Sequence, residues 1–168
     1  MLFRSSLSHK QHEQYLRIVL QVLREKCLYA KFSKYEFWKD EIAFLGHIIS
    51  AQGVQSELSK VKAIKEWEVP KNVSEVYSFL GLAGYYRQFV KDFSIVAKPL
   101  INLLKKQVTF QWTVRCQASF EELKHRLTSS PILILPKPGG QYVVYADASL
   151  NGLGCVLMQD GHVIAYAS

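Results

Sequence analysis

Apolar residues recur early in the chain at Tyr15, Ile18, Val19, Val22, Leu23 and Cys27, the i, i+3, i+4, i+7 rhythm of one helical face. The spacing predicts an amphipathic helix over 9–28. In the mixed stretch that follows, Phe37, Trp38, Ile42, Phe44, Leu45, Ile48 and Ile49 surround Asp40, Glu41 and Gly46, with Gly53 closing it. Two short strands with turns are expected there. Helical spacing returns over 56–67 through Leu58, Val61, Ile64 and Trp67. Pro70 ends it, because the residue before a proline is pushed out of the helical region. Asn72 and Glu75 have capping-box spacing, and Val76, Phe79, Leu80, Ala83 and Val90 continue as one apolar stripe of a long helix. A further helix is expected over 93–105, where Pro99 either kinks it or marks its first turn.

Residues 105–112 lean towards β structure, after which Phe120, Leu123 and Leu127 define a helix capped by Thr113. Pro131, Pro136, Pro138, Gly139 and Gly140 then suggest a hinge-like connection with a domain boundary near 138. Three β-type runs follow, over 141–147, 153–159 and 162–167, separated by turns at Asn151-Gly152 and Asp160-Gly161. They predict an antiparallel meander. A three-stranded sheet without a covering layer leaves a face unburied, so a domain cut partway is expected.

Charge adds a partner class. The chain carries a net +7, and residues 1–110 hold 17 Lys plus Arg against 10 Asp plus Glu, whereas 111–168 hold 4 against 4. An excess confined to the first two thirds favours a polyanion there, although such charge also serves solubility. Cys27, Cys116 and Cys155 are far apart and form no C-x-x-C pair, so they read as reduced, core-like thiols. His9, His12, His47, His125 and His162 show no metal-ligand spacing. Without a membrane-length apolar run or a signal-peptide core in the polar stretch 1–14, an intracellular protein is expected.

Two features carry candidate chemistry. Gly81 and Gly84 lie inside a predicted helix, where each costs about 1 kcal/mol relative to alanine. On the helical wheel they share a side with Tyr77 and Gln88, opposite the apolar stripe, and would let another backbone approach. That backbone is a nucleic acid or a tightly packed helix. Tyr85, Tyr86, Arg87, Lys91 and Lys98 interleave aromatics with bases, as nucleic-acid binders and solvated helical faces both do. Asp147, ending the run QYVVYAD, is either a metal ligand or a turn-forming residue.

Three blocks, KFSKYEFWKDEIAFLGHIIS (31–50), EVYSFLGLAGYYRQFV (75–90) and YADASLNGLGCVLMQDGHVIAYAS (145–168), together resemble gypsy-type long-terminal-repeat retrotransposon Pol polyproteins. The resemblance implies an α+β chain: a C-terminal remnant of a reverse transcriptase palm (1–55), a helical thumb (56–106), a connection (107–138) and a truncated RNase H-like mixed or antiparallel sheet (139–168). Phe44, Leu45 and Gly46 match the family's primer-grip hairpin. Tyr77, Gly81, Gly84, Tyr85, Arg87, Gln88, Lys91 and Lys98 would face the RNA–DNA hybrid or template–primer duplex, gripped by shape and backbone.

Asp147 matches the first RNase H acid, a magnesium ligand in the family. Its later acids and the polymerase's paired aspartates have no counterpart here. The parent polyprotein would then couple RNA-directed DNA synthesis to RNase H cleavage using Mg2+. This chain alone would hold no Mg2+ tightly, would be inactive, and would depend on the remainder of the Pol polyprotein. A non-catalytic nucleic-acid-binding piece or a decayed element are the alternatives. Tyr35 and Ala146 depart from the family's usual Cys and Thr. No membrane is implied, and a cytoplasmic particle and the nucleus are equally open.

Overall fold

The computed structural model describes residues 6, 8–29, 31, 33, 35–149 and 152–168. Residues 1–5 of the expected palm remnant and Asn151 of the predicted turn lie outside the described residues. Two compact units emerge, 1–40 and 41–168. In the first, helix α1 (His9–Glu25) starts at Ser8, whose hydroxyl accepts from the Gln11 amide at 3.2 Å. Its apolar stripe is amphipathic as predicted, yet none of its residues is buried. Cys27 is exposed rather than core-like, because the helix stops at Glu25 and Cys27 turns away with φ 52. Trp38 packs on His9 and His12, with ring centroids 5.2 and 4.6 Å apart.

The second unit opens with three strands where two were expected: β1 (Glu41–Phe44), β2 (His47–Ser50) and β3 (Gly53–Ser56), antiparallel in that order. Strand β3 has one apolar side chain, Val54, so periodicity could not reveal it. Besides its ladder with β2 it has one long-range bridge. Val54 and Leu133 exchange backbone bonds of 2.7 and 2.9 Å, and Gly53, with φ +143, runs against the Leu133 carbonyl where a Cβ would collide.

Helices α2 (Leu58–Lys65), α3 (Val73–Tyr85), α4 (Phe93–Asn102) and α5 (Val114–Thr128) follow. The cap of α3 is as predicted: the Asn72 side chain accepts from the Glu75 amide at 2.9 Å, and the Glu75 carboxylate returns to the Lys71 amide at 2.7 Å. Thr113 caps α5 through the Cys116 amide at 3.3 Å. Helix α3 ends at Tyr85, short of Val90, and the chain continues as a 3-10 turn over Arg87–Phe89. Phe89 and Val90 remain buried there, which is why the apolar stripe reads past the helix end. Pro99 lies inside α4, not in its first turn, and the helix closes three residues later.

Residues 105–112 contain no strand; Phe110 and Trp112 pack on the core from extended chain, and the Trp112 indole donates to Gln117 Oε1 at 2.7 Å. The core joins Val76, Phe79 and Ala83 of α3 to Ala97 and Leu100 of α4 and Phe120, Leu123 and Leu127 of α5. Phe79 and Phe120 sit 4.7 Å apart.

The predicted meander is β4 (Tyr142–Ser149), β5 (Gly152–Gln159) and β6 (His162–Ala167), with a register shift at Leu157/Met158. Val163 and Tyr166 of β6 rest on the helical core, and Ile134 donates to the Val163 carbonyl at 3.1 Å. The connection read as a hinge is tied down. Buried Gln159 acts as a substitute strand partner, accepting from the Lys137 amide at 2.8 Å and donating to its carbonyl at 3.0 Å. A buried amide must be satisfied, and composition could not show that these proline-flanked backbone groups would satisfy it.

Candidate nucleic-acid interface

Helix α3 turns Val76, Phe79 and Ala83 into the core, which leaves Tyr77, Gly81 and Gly84 on the opposite face. Tyr77 is 70% exposed. Among the described residues nothing lies within 4 Å of a Cβ built on Gly81 or Gly84, so no helix of this unit takes up the space the two glycines leave. Gln88 shares their side only if the helix continues; since α3 stops at Tyr85, Gln88 sits on the 3-10 turn with exposed Arg87. Exposed Lys91 follows in the turn before α4, and Lys98 is exposed on α4 itself.

Strands β1 and β2 meet in a two-residue turn, Leu45-Gly46, with φ 48 and 78. Positive φ at both positions is the twist-matched hairpin geometry. Glycine takes it freely, but leucine in the left-handed region costs about 1–2 kcal/mol. Leu45 is nevertheless 68% exposed, so no burial of its side chain offsets this. Contacts to the turn's backbone do. The Tyr85 hydroxyl donates to the Leu45 carbonyl, the Tyr86 hydroxyl to the Gly46 carbonyl at 3.0 Å, and the Glu57 amide to the same Gly46 carbonyl at 2.9 Å.

His47, next in the chain, stacks on Tyr85 at 5.4 Å and meets Tyr86 edge-on at 5.5 Å and Phe89 at 5.7 Å. Burial holds the His47 pKa below its ordinary value. Its Nδ1 is buried without a hydrogen-bond partner among the described residues. Burial, with the Tyr85 and Glu57 charges beside it, raises the Tyr86 phenol above its ordinary range, so it stays a donor. Sequence reasoning placed Tyr85 on the binding surface and missed that both tyrosines grip the hairpin. The available signal was a leucine occupying a turn position that usually takes Asn or Asp.

Asp147 is exposed on β4, directly across from Gly154 of β5. Cross-strand partners share a sheet face. A Cβ on Gly154 would lie 2.8 Å from Asp92 Oδ1, so Gly154 makes room for that carboxylate on the face bearing Asp147. Asp92, just before α4 in a left-handed conformation with φ 54, was not anticipated. Among the described residues no three His, Cys, Asp or Glu side chains converge as metal ligands, and these residues alone do not fit a divalent ion.

Comparison with known proteins gives the class: a segment of a reverse transcriptase with RNase H-like strands. Residues 112–168 match the RNase H-like domain found in reverse transcriptase. The foamy viral protease-reverse transcriptase, solved in complex with an RNA/DNA hybrid, superposes with a TM-score of 0.83 at 26% identity, over 97% of this chain and 23% of that one. Its dRH form in complex with ds DNA gives 0.85 at 26% identity, over 97% of this chain and 30% of that one.

The chain belongs to the retrotransposon Pol polyprotein family and corresponds to a segment of such a polyprotein. It is 37% identical to the retrovirus-related Pol polyprotein from transposon 297 of Drosophila melanogaster, over 100% of this chain and 16% of that protein. For the gypsy polyprotein of the same organism the identity is 33%, over 97% of this chain and 17% of the relative. An uncharacterized mitochondrial protein of Arabidopsis thaliana is 42% identical over 73% of this chain and 78% of its own length. Reverse transcriptase and RNase H-like families use divalent metals. Among the described residues no helix is long and apolar enough to cross a membrane.

Proposed function

We propose that this segment holds the template–primer or RNA–DNA duplex within a Pol polyprotein whose whole activity is RNA-directed DNA synthesis coupled to RNase H cleavage. In this reading 1–55 is the end of the palm with its primer grip at Phe44, Leu45 and Gly46, 56–106 the thumb, 107–138 the connection, and 139–168 the opening strands of the RNase H-like domain. The remainder of the Pol polyprotein is its partner. The observation that carries the reading is the open glycine face of α3, where among the described residues nothing lies within 4 Å of a Cβ built on Gly81 or Gly84, beside exposed Tyr77.

A nucleic-acid backbone could approach there closely, with Tyr85, Arg87, Gln88, Lys91 and Lys98 around it. Asp147 is assigned as the first acid of the RNase H-like site, supplying one carboxylate where the family places magnesium. Binding of the purified chain to an RNA–DNA hybrid across a salt series tests the assignment. The log affinity should fall linearly with log salt, by about 0.9 per neutralised phosphate on the B-DNA scale and about 0.7 on the single-strand scale. Reversing charge at Arg87, Lys91 and Lys98 together should flatten that slope and cut affinity at least tenfold. Absence of binding at any salt, or a slope the triple variant leaves unchanged, would contradict it.

A further inference from the structure

The hairpin tip and helix α3 are 40 residues apart in sequence, yet two phenols join them at one point. Tyr85 reaches the Leu45 carbonyl and Tyr86 the Gly46 carbonyl, with their rings perpendicular and 5.0 Å apart, so together they close on consecutive backbone groups of the turn. Gly46 is part of the same fit: a Cβ there would lie 2.7 Å from the Tyr86 hydroxyl. His47 fills the remaining space by stacking on Tyr85. Tyr77, Gly81 and Tyr85 are spaced i, i+4, i+8 and form one line along α3, about 6 Å per four-residue step. The turn is therefore pinned one helical step from Gly81.

We infer that Tyr85 and Tyr86 are positioning residues whose hydroxyls, bonded to the Leu45 and Gly46 carbonyls, make the hairpin tip and the glycine face of α3 a single rigid ruler. The inference rests on the duplex-holding reading above and adds to it the place of the primer end: Leu45, exposed at the tip, is held at a set distance along a duplex lying on Gly81 and Gly84. Neither tyrosine has to touch nucleic acid for this role. Rigid registration of the tip is what two bonds on adjacent carbonyls provide and one flexible contact would not.

Tyr85→Phe, Tyr86→Phe and the double variant test this in the full chain, since each keeps the ring and removes only the hydroxyl. Two quantities are read: amide hydrogen exchange at Gly46, His47 and Glu57, and affinity for a recessed template–primer relative to a blunt RNA–DNA hybrid. In the double variant these amides should exchange at least tenfold faster while those of α5 do not change. The preference for the recessed end over the blunt hybrid should fall about tenfold, whatever share of the affinity for both duplexes the loss of the Tyr85 hydroxyl removes. Tyr85→Phe alone, at a half-exposed ring, should show part of both effects even if Tyr86→Phe folds poorly.

Unchanged exchange in a folded double variant would overturn the clamp. Faster exchange with an unchanged recessed-end preference would overturn the positioning role. A wild-type chain that binds neither duplex would sink the functional reading and the positioning with it, whereas the exchange data would still decide whether the clamp exists.

Discussion

Two hairpin turns in the 41–168 unit share a backbone and a second-position glycine and differ in what holds them. Leu45-Gly46 has φ 48 and 78, and Asp160-Gly161 has φ 51 and 75. Asp-Gly is a pair this geometry favours, because aspartate tolerates the left-handed region and glycine enters it freely. That turn stands on local chemistry: among the described residues a Cβ on Gly161 meets nothing within 4 Å, and the neighbouring His162 Nδ1 bonds the Asp160 carbonyl at 2.8 Å. Leu-Gly lacks that local support and is instead held by Tyr85, Tyr86 and Glu57 from elsewhere in the unit.

Helices α3 and α5 repeat the contrast. Helix α5 contains no glycine and is capped by Thr113, whereas α3 carries two glycines facing open space. Of these two helices α3 is the one that breaks a local rule, and such breaks concentrate where a surface does something other than fold.

The largest expected difference comes from adding one methyl group to each turn. Gly46→Ala forces an L-residue to φ 78 and drives its Cβ against the Tyr86 hydroxyl, 2.7 Å away. It should destabilise the unit by about 2–3 kcal/mol, combining left-handed strain with the loss of a hydrogen bond. Gly161→Ala meets only the strain and should cost about 1 kcal/mol. Urea midpoints of the two variants compare them directly; equal losses would show that the tyrosines do not hold the first turn.

A smaller effect follows from pH. Because burial lowers the folded pKa of His47 below 6.5, the stability it contributes is present above 6.5 and is lost as pH falls through the lowered folded value. Urea midpoints of the wild-type chain should therefore decline on acidification below pH about 6.5. In His47→Phe, which keeps a ring on Tyr85 and removes the titration, that part of the decline should disappear. A decline identical in both proteins would assign it to other groups.

Legibility in the sequence follows the same division. Elements obeying local rules could be read directly: the caps Asn72 and Thr113, the α5 stripe, and the β4–β6 meander. The end of α3 could not, because buried Phe89 and Val90 extend its stripe through a 3-10 turn. Strand β3 was invisible because Val54 is its one apolar side chain and its bridge to Leu133 is distant in sequence, and the connection at 136–140 read as a hinge because a side-chain amide, Gln159, completes it. Of the residues proposed for the interface, the sequence set Gly81 and Gly84 off the apolar stripe and Arg87, Lys91 and Lys98 near them, and the structure leaves all of these outside the core. The tyrosine clamp and the approach of Asp92 to the Asp147 face were not legible, since both depend on tertiary contact.

The open glycine face is the central claim, and Gly81→Ala combined with Gly84→Ala tests it most directly. With nothing among the described residues within 4 Å of either new Cβ, the double variant should be more stable, by about 1 kcal/mol from Gly81 inside the helix and by less from Gly84, the last residue but one of α3. Its affinity for an RNA–DNA hybrid, measured at the same salt as wild type, should fall at least fivefold. A double variant that gains stability and binds the hybrid as tightly as wild type would contradict the account.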